Sequence, residues 1–330
     1  MTALLEVDDL TVGFTRDGTR TAAVRGVSLR VEAGERVGIV GESGSGKSVT
    51  AQAVMRLLPA TATVGGTIRF AGQDVLAYDA DRLAAWRGAD IAMVFQDPMS
   101  SLNPLLRVGT QLTEGLRRHR GLSKADARAE AVRLLKLVGI ADPDRRLDDY
   151  PHAFSGGMRQ RVCIAIAAAC TPKLIIADEP TTALDVTVQA QVLDLLDELT
   201  ERYATATILV SHDLGVVSSF CDRILVMYAG QVVEAGPTDD IVADPAHPYT
   251  RALLDSIPRL DGELPRRLPA IPGSPPFGDV PTGSCAFADR CAHAQPVCRS
   301  EAPRLATAGP RTQAACHFPL AGARTPEVVR

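Results

Sequence analysis

Residues 41–48 read Gly-Glu-Ser-Gly-Ser-Gly-Lys-Ser and satisfy the pattern G-x-x-x-x-G-K-[S/T] at every fixed position. The run Glu35-Arg-Val-Gly-Ile-Val40 precedes it and reads as a short buried strand. Ser48 to Leu58 follows as a helical stretch, stopped by Pro59. Strand, glycine loop and helix form the context in which this pattern binds phosphate. Gly41, Gly44 and Gly46 let the backbone curl so that successive N–H groups point at phosphate oxygens. The helix N-terminus adds its partial positive charge. Ser43 and Ser45 complete the loop, and Val49 opens the helix behind it. Lys47 is expected to reach the β- and γ-phosphates and Ser48 to hold Mg²⁺.

The chain has 330 residues, 46% hydrophobic and 22% charged, which suits one large or two smaller globular domains. A formal net charge of −4 gives no overall basic footprint for nucleic acid. The longest apolar run, Val162 to Cys170, has nine residues, against the roughly 20 needed to cross a bilayer. Acids stand in the N-terminal stretch where a signal peptide carries basic and then apolar residues. The expectation is a cytoplasmic protein whose membrane role comes through a partner. Cys163, Cys170 and Cys221 lie in apolar segments and read as small core residues. Cys285, Cys291, Cys298 and Cys316 cluster near the C-terminus, which in a reducing compartment favours a metal site over disulfides.

Alternation in Leu4–Phe14 and Ala23–Val31 predicts strands, as do Gly66–Phe70 and Ile91–Phe95. From about residue 97 to 160 the pattern is helical; Ser123 and Asp126 resemble a capping box, and Gly139 is a natural stop. Leu174–Ala177 and Thr207–Val210 are apolar runs of parallel-strand type, with a helix over Val186–Tyr203 between them. The order implies an α/β fold: a parallel-sheet core, an N-terminal antiparallel β layer and a helical insertion. Beyond about residue 245 prolines crowd the sequence, and an irregular extension over 246–330 is expected after a nucleotide-binding domain over 1–245.

Leu174-Ile-Ile-Ala-Asp178-Glu179 is an apolar strand ending in two acids. Asp178 is placed to orient Mg²⁺, directly or through water, and Glu179 to polarise an attacking water. Gln96 and His212 also end predicted strands, at the edge where such sheets bind ligands. Ser155, Gly156 and Gly157 stand at the start of a helix and make a second anion site.

Together these residues resemble the ATP-binding subunit of an ABC transporter over roughly residues 4–236, with its RecA-like core. Ser155-Gly-Gly resembles the signature, with Phe154 and Met158 replacing its commonest Leu and Gln; Ala183-Leu184-Asp185 resembles the D-loop, Gln96 the Q-loop and His212 the switch histidine. Phe14 falls where the family stacks an aromatic on adenine, and reads equally well as a strand core residue. The resemblance implies two such domains closing on ATP, each phosphate loop facing its partner's Ser155-type signature. Lys47, Glu179 and His212 then act in hydrolysis, with Ser48, Gln96 and Asp178 around Mg²⁺. A non-transport ABC ATPase acting on nucleic acid or ribosomes is the rival, but it usually brings a long coiled coil or fused ATPase units.

Gln96-Asp-Pro-Met-Ser-Ser-Leu-Asn103-Pro104, Val108-Gly109, Gln111, Asp185 to Gln191, His247-Pro-Tyr-Thr250 and Pro272-Gly-Ser-Pro-Pro276 are similar to the oligopeptide/dipeptide/nickel branch. That position implies peptide import at the cytoplasmic face of the membrane; nickel chelates and glutathione remain open as cargo. It implies two membrane permeases, an extracytoplasmic binding protein and a second, usually paralogous, ATPase. Some members of the branch carry a [4Fe–4S] cluster in the tail. Four thiolates suit either that cluster or zinc; the cluster is favoured because the C-x2–4-C pairs of zinc sites are absent, His293 and His317 could replace a thiolate, and unligated thiols are the plain alternative.

Overall fold

The computed structural model describes residues 3–16, 19–181, 186–257, 271–276 and 283–320. In chain order the first elements are β1 (Leu5–Arg16), β2 (Thr19–Val31), β3 (Arg36–Val40), α1 (Lys47–Val54), β4 (Ala62–Phe70), β5 (Gln73–Asp74), α2 (Ala80–Trp86) and β6 (Ile91–Val94). Then come α3 (Pro98–Ser101), α4 (Val108–Arg120), α5 (Lys124–Leu137), α6 (Pro143–Arg146), α7 (Gly156–Ala168), β7 (Leu174–Asp178), α8 (Val186–Tyr203) and β8 (Ala206–Ser211). The last are α9 (Leu214–Phe220), β9 (Arg223–Tyr228), β10 (Gln231–Pro237), α10 (Thr238–Ala243), α11 (Pro248–Asp255), α12 (Pro296–Ser300), β11 (Ala306–Thr307) and β12 (Gln313–Ala314). Among the described residues no helix is long and apolar enough to cross a membrane.

Two compact units share these elements. The first comprises Met1–Leu4, Val31–Glu35 and Asp74–Leu209; the second comprises Leu5–Arg30, Arg36–Gln73 and Val210–Arg330.

In the first unit β7 lies between β6 and β8. β6 and β7 run parallel, in register from Ile91↔Leu174 to Val94↔Ala177. Every residue of β7 and β8 is buried, which explains their unbroken apolar sequence: a strand covered on both faces has no polar side to show. The helical stretch buries Val108, Leu112 and Leu116 of α4 and Ala127, Ala131, Leu134 and Leu135 of α5 at helical spacing. The Ser123 hydroxyl oxygen accepts the Asp126 N–H at 3.1 Å and donates to the Asp126 carboxylate at 2.6 Å, a shortened capping box. Gly139, at φ +68°, follows the end of α5.

In the second unit an antiparallel sheet runs β2-β1-β4-β5. The β1–β4 register shifts between Asp8 and Thr11, and Gly66 faces that bulge. A Cβ on Gly66 would lie 2.4 Å from the Asp9 carbonyl oxygen, so only glycine lets the strands approach there. β3 and β9 are parallel, from Val37↔Arg223 to Val40↔Val226, and β9 turns back antiparallel into β10. α9 packs so closely on β3 that a Cβ on Gly38 would sit 2.1 Å from Val217 Cγ1.

Two expectations change. α1 ends at Val54, short of Pro59, because Arg56 takes a left-handed φ of +52°. The Leu57 N–H then donates to Gln52 O at 2.8 Å and the Arg56 N–H to Ala53 O at 2.9 Å. This is a Schellman end made without glycine, so no residue type marked it. The extension beyond residue 245 is also less irregular than its prolines suggest. It contains α11 and α12, and β12 pairs antiparallel with β10 through Glu234↔Ala314.

Glu234 fastens this region. Its fully buried carboxylate accepts the N–H of Ala246 at 2.6 Å and of His247 at 3.0 Å, which fixes the start of α11; burial pushes its pKa up. Glu234→Leu would leave two buried N–H groups without an acceptor and is expected to cost about 2–4 kcal/mol, read as a lower urea midpoint. An unchanged midpoint would mean that other acceptors serve those amides.

Candidate functional site

The phosphate loop joins the buried β3 to α1 in the second unit. Its shape depends on close backbone approaches. A Cβ on Gly41 would lie 2.1 Å from the Met227 carbonyl oxygen, and one on Gly46 would lie 2.6 Å from that of Ala23. Gly46 caps α1 at φ +98°, a conformation that costs glycine little. Gly44, at φ +80°, faces open space, and Ser43 beside it is exposed. The Gly230 N–H donates to Ser45 O at 2.9 Å and ties the loop to the β9–β10 turn. Lys47 is buried, and its Nζ donates to the carbonyls of Gly41 at 2.7 Å and Glu42 at 2.9 Å. The buried Ser45 Oγ has no hydrogen-bond partner among the described residues. Such an orphan hydroxyl, an ammonium folded onto its own loop and a glycine cradle fit a polyphosphate. Ser48 and Val49 lie half-buried on the first turn of α1.

Phe14 is half-buried on β1 of the same unit, opposite Ala62. His212 follows β8 and is exposed; the next residue, Asp213, caps α9 by accepting the N–H of Gly215 at 2.8 Å and of Val216 at 3.2 Å.

The acid-tipped strand lies in the first unit. Asp178 ends β7 and is 4% exposed. Since Val94 pairs with Ala177, two more residues along both parallel strands bring Gln96 opposite Glu179. The Gln96 Nε2 donates to Glu179 Oε2 at 3.0 Å. Glu179 holds a left-handed φ of +48°, strain of the kind that sharply turning site residues carry.

The Ser155 Oγ caps α7 by accepting the Met158 N–H at 3.3 Å. Ser155 and Gly156 are exposed, and a Cβ on Gly156 would meet nothing within 4 Å. Gly157 faces inward, where a Cβ would lie 2.9 Å from Val188 Cγ1 on α8. Phe154, which departs from the family's commonest residue, is 3% exposed beneath the Arg146 guanidinium. Asp185, with Ala183 and Leu184, lies outside the described residues.

Cys285, Cys291, Cys298 and Cys316 line one small cavity in the tail, together with His247, His293 and His317. Burial raises the thiols of Cys285, Cys291 and Cys316, the last to about 11. Among the described residues, however, no three His, Cys, Asp or Glu side chains form a group positioned to hold a metal ion. The thiols converge on one cavity, but no formed ligand set among the described residues supports the expected metal. Cys163 and Cys221 are buried as expected, and Cys170 is half-buried.

Two side chains that carried no role in the sequence also bind the loop. The Tyr249 hydroxyl accepts the Glu42 N–H at 2.8 Å, and Arg290 pairs with the Glu42 carboxylate. Tyr249 belongs to the His247-Pro-Tyr-Thr250 run, the one signal that could have pointed here.

Residues 24–182 match the ABC transporter family, and residues 233–298 match the oligopeptide/dipeptide transporter C-terminal region. The chain is 50% identical over 318 residues to the oligopeptide transport ATP-binding protein OppD of Salmonella typhimurium, covering 96% of this chain and 94% of that one. It is equally similar, 50% over 315 residues, to a probable peptide ABC transporter ATP-binding protein of Sinorhizobium fredii, covering 95% and 94% of the two chains. Among solved structures it resembles the dimeric bacterial ABC transporter cassette MJ0796, with a TM-score of 0.64 and 30% identity, covering 71% of this chain and 98% of that one. A cradle for phosphate, an acid-tipped strand, a capped signature helix and a matching tail have one common source: the chain belongs to the ABC transporter ATP-binding proteins of the oligopeptide/dipeptide branch.

Proposed function

We propose that the chain is the ATP-hydrolysing subunit of an ABC importer that energises uptake of di- and oligopeptides. The observation that carries this reading is the likeness to OppD through both cassette and tail, since a cassette alone would not point to peptides. The loop cradles the triphosphate, with Lys47 leaving its own loop carbonyls for phosphate oxygens as negative charge develops. Mg²⁺, held by Ser48, Gln96 and Asp178, supplies charge neutralisation when bound. Glu179 polarises the attacking water and His212 positions it. Phe14 stacks on adenine. The hydrogen bond from Gln96 to Glu179 supports a coupling in which the base is freed only when Gln96 turns away.

Two such subunits close on ATP, each offering Ser155, Gly156, Gly157 and Asp185 to the other's nucleotide. The start of α7 supports this role, because Ser155 and Gly156 are exposed there and open to a ligand from outside the chain. The second subunit is a paralogue. The assembly sits at the cytoplasmic face of the membrane, bound to two permeases fed by an extracytoplasmic binding protein. Phe95, Met99 and Leu105, at 41%, 61% and 83% exposure, support such a contact: apolar side chains that fill no core are suited to a protein partner. In the tail the four cysteines would hold a [4Fe–4S] cluster as a structural staple once their side chains turn toward it. Four thiols on one cavity support that reading, and zinc is the alternative ligand.

Glu179→Gln is expected to keep ATP binding while turnover falls by about 10²–10³-fold; near-normal hydrolysis would remove Glu179 from its role. Ser155→Arg should leave nucleotide binding to the single chain intact but abolish ATP-dependent dimerisation on size exclusion, and a variant that still dimerises would rule out the shared site. Anaerobically purified protein should contain iron and acid-labile sulfide. Colourless protein with stoichiometric zinc would replace the cluster, and protein with neither would leave the cysteines as plain thiols.

A further inference from the structure

Glu42 is a carboxylate placed inside a loop built for anions. Arg290 meets it with both ends of its guanidinium: Nη1 donates to Glu42 Oε2 at 2.6 Å and Nη2 to Oε1 at 2.9 Å. The arginine side chain is only 6% exposed and the glutamate 26%, so solvent screens this pair weakly. Nε donates to the Pro272 carbonyl at 2.8 Å, Nη1 reaches the Tyr228 hydroxyl at 3.3 Å, and the guanidinium lies over the rings of Tyr228 and Phe287. The guanidinium therefore has little freedom to leave Glu42. On the backbone side, Tyr249 takes the Glu42 N–H, and Lys47 donates to the Glu42 carbonyl. Without its partner, an unpaired Glu42 charge on the phosphate-binding loop would oppose the incoming anion.

We propose that Arg290 is a positioning residue for ATP binding: by holding Glu42 in a bidentate pair it neutralises the loop's own carboxylate and pins the turn, so the cysteine-bearing tail sets nucleotide affinity. This rests on the loop binding ATP.

The test measures ATP affinity in the full chain by equilibrium titration with a fluorescent ATP analogue, alongside thermal unfolding without nucleotide. Arg290→Gln should weaken binding by about tenfold, because it leaves Glu42 charged and unpaired. Adding Glu42→Gln to that variant should restore affinity to within about threefold of the wild type, because the repelling charge is gone. An arginine that merely anchored the tail would give a double variant as weak as Arg290→Gln, and that result overturns the proposal, as does an Arg290→Gln chain that binds normally. If Arg290→Gln does not fold, Arg290→Met, which also removes the cation but keeps an unbranched side chain against the Tyr228 and Phe287 rings, carries the same comparison with and without Glu42→Gln. Lys47→Ala separates the two readings: retained binding there would sink the phosphate loop itself, whereas its loss together with no rescue in the double variant would sink only the role of Arg290.

Discussion

The site depends on how closely backbones can approach one another around the phosphate loop. Gly41 lies against the Met227 carbonyl and Gly46 against that of Ala23, at separations no side chain tolerates. The Gly230 N–H then fixes the Ser45 carbonyl, so the loop's shape is set from outside by the β9–β10 turn. A loop held this way keeps its N–H groups aimed before any ligand arrives, and binding need not spend free energy on ordering them. Lys47 is folded onto the carbonyls of Gly41 and Glu42, so its charge is satisfied at rest.

A second constraint is the register of two parallel strands. Pairing of Val94 with Ala177 carries the chain two residues further to Gln96 and Glu179, which meet as a hydrogen-bonded pair. Neither residue needs a dedicated scaffold, because buried strands bring both side chains to one end. The left-handed turn at Glu179 ends the strand and directs its carboxylate. Sheet geometry of this kind explains how residues 83 apart in sequence meet with hydrogen-bond accuracy.

Much of this was legible in the residues. The phosphate loop, β7, β8 and α8 follow from periodicity and from motifs whose physics is local. Ser123, Asp126 and Gly139 marked α5 because caps are chemical signals. What escaped was nonlocal or untyped. Arg56 ends α1 in a conformation usually left to glycine. α11 was hidden among prolines, although Pro248 stands at its first turn, where the ring is tolerated. Gln111 and Asn103 were visible only as a motif; their role is mechanical, the Gln111 amide binding the carbonyls of Asn103 and Leu106 at 3.0 Å each. The Arg290–Glu42 pair joins residues 248 apart, and no local pattern announces it.

The pairing of β12 with β10 has a consequence for solubility. A strand with an open flank offers a row of unpaired amides and carbonyls to any passing chain. Here the tail closes that flank of β10, and the strands that replace it at the border, β12 and β11, are two residues each, too short to template an intruder. A chain truncated ahead of residue 313 would leave this border of β10 open to such pairing.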